Sequence, residues 1–284
     1  MVGLPLGRRL DRRGHADLVA PSTDPWALQA TGQTPGGLPV ATSVEAGGFY
    51  CEHLFFHTLQ WAAAPLSPVG RDAAGDPLVG FLHVPGDDRS GPDGDPQLSR
   101  ARALRELGAL VSRTVDAWLV QLDRSSPPGS LRGLLTGFAG WGQVRDNPSG
   151  AFVRDRRHLD AALAAMGASV DRAPVPRTRR DYRLPPRLGS RSLQLTEQVL
   201  AVDDRTIDGG RWSIQRVLAT AQPHFVLSLG VAAKRRGFSI ELRATDLGLG
   251  SDRDCHADHA PARGAATDNC ALARAILGVS DGKA

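Results

Sequence analysis

The sequence predicts an α/β layered fold. Short apolar runs bounded by Pro and Gly alternate with longer segments whose apolar residues recur at helical spacing, and strands alternating with helices imply helices packed on a sheet. The chain has 284 residues with 41% hydrophobic content, enough for one large domain or two small ones.

In chain order, residues 1 to 37 are rich in Gly, Pro and Arg, with one short helix expected at Asp24–Ala30. A strand is expected at Val40–Val44, a helix at Gly48–Ala63 and a buried strand at Leu78–Val84, between Pro77 and Pro85. The turn-rich segment P-G-D-D-R-S-G-P-D-G-D-P follows. Ser99 then caps a long helix to Leu122, with Leu104, Leu107, Val111, Val115, Trp118 and Leu122 on one stripe. The segment S-S-P-P-G, residues 125 to 129, ends it, and residues 125 to 130 read as a linker between a first part, 1 to 124, and a second, 131 to 284.

In the second part a strand is expected at Leu131–Gly137, running into T-G-F-A-G-W-G. Asn147-Pro148-Ser149 opens a helix expected to reach Met166, since Pro at a helix start gives up only an N–H that would be unpaired anyway. The arginine-rich run Arg177–Arg191 reads as a solvated insertion. Strands are expected at Gln198–Val202, Phe225–Gly230 and Phe238–Ala244, and a helix at Gly210–Ala221.

The formal net charge is +4, carried almost wholly by arginine, with Lys234 and Lys283 the only lysines. The basic run contains one aromatic, Tyr182, and no nucleic-acid recognition motif, so no nucleic-acid partner is expected. No apolar run reaches membrane-span length and M-V-G-L-P-L-G-R-R lacks a signal-peptide core, so a cytoplasmic location without membrane association is expected. Cys51, Cys255 and Cys270 are odd in number and irregularly spaced, which argues against a disulfide framework. The crowd Asp252, Asp254, Cys255, His256, Asp258 and His259 lacks a second ligand pair, so no metal is expected there.

Two segments carry nucleophile chemistry. In A-G-G-F-Y-C-E-H-L-F-F, small residues precede Cys51 at the start of a helix, where unpaired N–H groups and the helix dipole favour a thiolate. In P-L-V-G-F-L-H-V-P, His83 stands near a strand end and can act as general base. Taken singly, each is more often a buried cysteine or a satisfied core histidine; together they make a pair.

That pair, A-G-x-F-x-C followed by G-F-x-H-V-P, closely resembles the cysteine and histidine motifs of the pyroglutamyl peptidase I (pyrrolidone-carboxylate peptidase) family. T-G-F-A-G-W-G and Asn147-Pro148-Ser149 resemble that family's N-terminal motifs, which belong before the cysteine and histidine, so the halves stand here in reverse order. A weak repeat agrees: D-R-R-G-H-A-D, Asp11–Asp17, matches D-R-D-C-H-A-D, Asp252–Asp258, at an offset of 241. The first part thus resembles the C-terminal part of a peptidase domain and the second its N-terminal part.

The resemblance implies a three-layer α/β/α fold with a mixed central sheet and a Cys51–His83–Glu241 triad, Glu241 matching in I-E-L-R-A. It implies substrate contacts from Phe49, Phe138, Trp141 and Asn147, and release of an N-terminal pyroglutamyl residue from a small peptide or amide without a cofactor. Two positions depart from the family: Val231 replaces a glutamine and Glu52 an asparagine. A carboxylate beside the cysteine is expected to raise its pKa. A catalytically impaired binding or structural module and a hydrolase of another small amide remain alternatives, and self-association is left open.

Overall fold

The structure, a computed structural model, describes residues 8–10, 16–18, 31–43, 50–63, 77–86, 100–125, 130–140, 147–172, 179–188, 191–202, 213–232, 235–241, 243–244 and 263–264. The first part contributes β1 (Arg8–Leu10), β2 (Ala16–Leu18), β3 (Thr31–Gln33), β4 (Pro39–Ser43), α1 (Tyr50–Ala63), β5 (Leu78–Pro85) and α2 (Arg100–Ser125). The second contributes β6 (Leu131–Phe138), α3 (Pro148–Arg154), α4 (Arg156–Ala165), β7 (Ser169–Arg172), β8 (Arg179–Arg183), β9 (Ser192–Leu200), α5 (Ile214–Ala221), β10 (Phe225–Ala232), β11 (Phe238–Glu241), β12 (Arg243–Ala244) and β13 (Arg263–Gly264).

Nine strands form one mixed sheet in the order β3-β4-β11-β5-β10-β6-β9-β8-β7. The centre, β5-β10-β6-β9, is parallel; β11 runs antiparallel to β5 and parallel to β4, and β8 and β7 continue antiparallel beyond β9. Strands from either side of the Pro-Pro-Gly segment interleave: β11 sits between β4 and β5, and β5 between β11 and β10. Parallel strands covered on both faces need continuous apolar runs, and every residue of β5 is buried.

Alternation along the strands separates the two faces. Leu78, Leu82 and Val84 of β5 join Phe225, Leu227 and Leu229 of β10 in a core with the predicted α2 stripe, Phe152 of α3 and Leu159 and Leu163 of α4. Val79, Phe81, Leu134, Phe138 and Val226 face the other way and pack with Leu54, Phe55 and Leu59 of α1 and Ile214 and Leu218 of α5. The sheet therefore lies between two helical layers, as expected. All six residues of the α2 stripe are buried, though the helix runs three residues past the predicted end.

Several expectations are corrected. The helix predicted from Asn147 to Met166 is two, broken at Asp155, whose side chain accepts the Arg157 N–H and caps α4. The arginine-rich run is largely structured: it supplies β8 and a 3-10 turn at Pro186–Leu188, with Tyr182 only 1% exposed. Tyr182 donates from its hydroxyl to Asp160 of α4, and Arg180 pairs with the same carboxylate, so charges read as solvated fasten an added strand to the layer beneath. The strand expected at Gln198–Val202 starts six residues earlier, and the helix expected from Gly210 starts at Ile214 behind a Ser213 cap. The strand predicted at Phe238–Ala244 is split into β11 and β12. The expected helix at Asp24–Ala30, the segment Asp252–His259, Cys255, Cys270, Phe49 and Trp141 lie outside the described residues. Among the described residues no helix is long and apolar enough to cross a membrane.

Candidate active site

The carboxyl ends of parallel strands are where open α/β sheets place their ligand sites, because there the connecting loops diverge. His83 stands two residues before the end of β5 and Gly230 two residues before the end of β10, and the two are register partners. Both lie on the face covered by α1, where Cys51 is the second residue.

Gly230 admits the cysteine. A Cβ there would stand 2.7 Å from Cys51 Sγ and 2.8 Å from the Phe81 ring, too close for either. With glycine the sulfur rests on the strand backbone next to the position paired with His83. The ring of Phe81 is 5.0 Å from that of His83 and 5.4 Å from that of Phe55, forming an apolar wall between α1 and the histidine.

His83 Nδ1 lies 2.7 Å from Glu241 Oε1, with both residues buried. Strand pairing explains the meeting: Ser239 is opposite His83 in the antiparallel β11–β5 register, and Glu241, two residues on, shares its face. Arg235 approaches the same carboxylate oxygen to 2.5 Å and reaches the hydroxyls of Ser239 and Ser43, while the Ser239 hydroxyl donates to Glu241 Oε1 at 3.0 Å. Burial alone would raise the Glu241 pKa. The hydrogen bond and charge of His83, then Arg235 and Ser43, outweigh burial and hold the carboxyl below its ordinary value. Glu241 is therefore an anion at neutral pH, and it orients the imidazole with Nε2 as the nitrogen left for proton exchange.

The cysteine does not match the expected thiolate. Burial of its sulfur, the dominant cause, pushes the Cys51 pKa from an ordinary 9.0 up to about 12. The Val231 backbone hydrogen bond and Arg235 pull it down, whereas Glu241 and Glu52 push it up, Glu52 in the direction anticipated from sequence. Cys51 as a residue is only partly buried, but its sulfur is turned inward against Gly230, and desolvation there outweighs its place at the helix start and favours a neutral thiol.

The residues expected to contact substrate at the T-G-F and N-P-S motifs have structural tasks. Asn147 is 1% exposed and caps α3, its Oδ1 accepting from the Ser149 N–H at 2.9 Å and the Ser149 hydroxyl at 2.7 Å. That hydroxyl in turn accepts the Phe138 N–H at 3.1 Å, tying the helix start to the end of β6. A Cβ on Gly150 would fall 2.0 Å from the Phe138 carbonyl oxygen, so glycine is needed for this approach. The Phe138 side chain is 2% exposed and belongs to the core beneath α1 and α5.

Sequence reasoning assigned no role to Arg235, Ser239, Ser43 or Gly230. The i, i+2 spacing of Ser239 and Glu241 was a usable signal. Arg235 stands only six residues before Glu241, whereas the contribution of Ser43, 192 residues from Arg235, depends on β4 and β11 pairing, which no local pattern reveals. No family model, no curated protein and no solved structure matches the chain.

Proposed function

We propose that the chain is a cysteine peptidase of the pyroglutamyl peptidase I kind, with its halves in permuted order, releasing an N-terminal pyroglutamyl residue from a peptide or small amide. The observation that carries this reading is the buried His83–Glu241 pair, 2.7 Å apart across β5 and β11, with His83 the register partner of the Gly230 niche that holds Cys51. Residues 32 to 190 positions apart in sequence meet at the carboxyl end of one sheet, and a core histidine needing only a partner would not require the cysteine as well.

In the proposed reaction Cys51 passes its proton to His83 Nε2 as the sulfur attacks the pyroglutamyl carbonyl carbon. Glu241, held by Arg235 and Ser239, stabilises the imidazolium. Backbone N–H groups of the first turn of α1 receive the developing oxyanion. His83 then protonates the departing amine, and water, deprotonated by the same imidazole, hydrolyses the thioester and restores the thiol. The raised thiol pKa means that proton transfer accompanies attack instead of preceding it, so His83 carries a large share of the rate.

The same burial favours a second reading, a catalytically impaired relative serving as a binding or structural module. Release of a fluorophore from a pyroglutamyl amide decides between them. Turnover by the parent and none by Cys51→Ala supports the peptidase; indistinguishable, background rates favour the module.

A further inference from the structure

On α1, His53 and His57 stand one turn apart, at the i, i+4 spacing that puts two side chains on the same helix face. Their Nε2 atoms are 3.1 Å apart, with ring centroids 4.3 Å apart and rings nearly perpendicular. Two neutral imidazoles satisfy that contact in one way: one ring donates its Nε2–H and the other, in the Nδ1–H tautomer, accepts. His53 is buried and His57 partly exposed, so the pair opens to solvent through His57. The proposed hydrolysis uses neither residue.

We infer that His53 and His57 form a chelating site for a borderline divalent transition-metal ion of the Zn²⁺ class. Zinc binds imidazole nitrogen at roughly 2.0–2.1 Å, so nitrogens 3.1 Å apart subtend about 100° at the ion, close to a tetrahedral bite. Paired histidines at i and i+4 on a helix are a recurrent way to present two such nitrogens. Binding replaces the hydrogen bond between the rings: the proton between the two Nε2 atoms moves to Nδ1 of the donor ring, the rings turn until both Nε2 lone pairs converge on the metal, and the net charge of the pair is unchanged. Among the described residues no group of three or more His, Cys, Asp or Glu converges, so these residues offer the ion two protein ligands. Such a site exchanges its ion, unlike a closed structural site. Imidazole pairs select zinc, nickel and copper over magnesium or calcium, which require oxygen. The inference is independent of the peptidase reading.

The test titrates Zn²⁺ alone into the untagged full-length chain, followed by calorimetry and by ¹⁵N shifts of the imidazole nitrogens. The expected result is one saturable site that moves the Nε2 resonances of both His53 and His57. His57→Gln should weaken that binding by at least about tenfold, since even loss of a partner outside the coordination shell costs that much. If the buried position makes His53→Gln unstable, the His57 variant and the parent shifts still decide. Nε2 resonances unmoved at saturating Zn²⁺, parent-like affinity in His57→Gln, or absence of binding by the parent would each overturn the assignment.

Discussion

Two neighbouring corners of one sheet, each marked in the sequence by a short motif, use their polar groups in opposite ways. Where β4, β5 and β11 meet, His83, Ser239, Ser43 and the loop residue Arg235 gather around the buried carboxylate of Glu241, next to the thiol that rests on Gly230 of β10. At the end of β6, Asn147 and Ser149 spend their hydrogen bonds on a helix cap and on the Phe138 backbone. A motif match transfers a position; what the polar atoms meet decides the role. The cap closes its hydrogen bonds within a dozen residues, whereas the first corner brings a carboxylate and a guanidinium six residues apart onto a titratable ring 158 residues from the carboxylate, an arrangement that stability alone does not demand.

Substitutions separate the two corners. The largest effect is expected at the first: His83→Ala should lower pyroglutamyl-amide turnover on the order of a hundredfold or more while circular dichroism stays near parental, because general-base catalysis is worth at least that much. Activity within a few-fold of the parent would make His83 structural. Gly230→Ala comes next. Its methyl would meet Cys51 Sγ at 2.7 Å and Phe81 at 2.8 Å, so overpacking should cost about 1–3 kcal/mol in denaturant unfolding and displace the thiol, lowering kcat more than it raises KM.

At the second corner, Asn147→Ala should act on stability, costing about 0.5–2 kcal/mol for the lost cap, with KM unchanged. A raised KM at parental stability would restore Asn147 as a substrate contact and erase the contrast.

The effect that vanishes at neutral pH is a slope of stability on pH that sets in only above pH 9. The Cys51 thiol pKa is about 12 in the fold and near 9.0 unfolded, so the unfolded state sheds this proton first as pH rises. The contribution is fully present below pH 9 and is lost between pH 9 and 12. Urea unfolding of the parent should therefore weaken more steeply above pH 9 than that of Cys51→Ala, by up to about 1.4 kcal/mol per pH unit. Equal slopes would mean that the sulfur is hydrated.

The layered fold was legible because its signals are local: the α2 stripe, the apolar run of β5 and the Pro-bounded start of α3 all read correctly by period and punctuation. Cys51 and His83 were legible as a pair through short motifs, and Glu241 only through resemblance. Charge misled where packing supplied partners. Arg180 and Tyr182 read as solvent-facing residues because nothing local announces Asp160 on the helix beneath. The helix dipole misled at Cys51 for the opposite reason, since desolvation by Gly230, Phe81 and α1 is a tertiary effect that no neighbouring residue encodes.

The central claim is that Cys51, His83 and Glu241 act as one unit on a pyroglutamyl carbonyl, and an affinity label tests it most directly. Pyroglutamyl chloromethyl ketone, followed by peptide mass spectrometry, should modify Cys51 in the parent and be blocked by excess pyroglutamyl amide. Labelling should be slowed at least about tenfold in both His83→Ala and Glu241→Gln, in keeping with loss of a general base or its orienting partner. Labelling of Cys255 or Cys270 instead, or of Cys51 at a rate indifferent to His83, Glu241 and competing amide, would contradict the account.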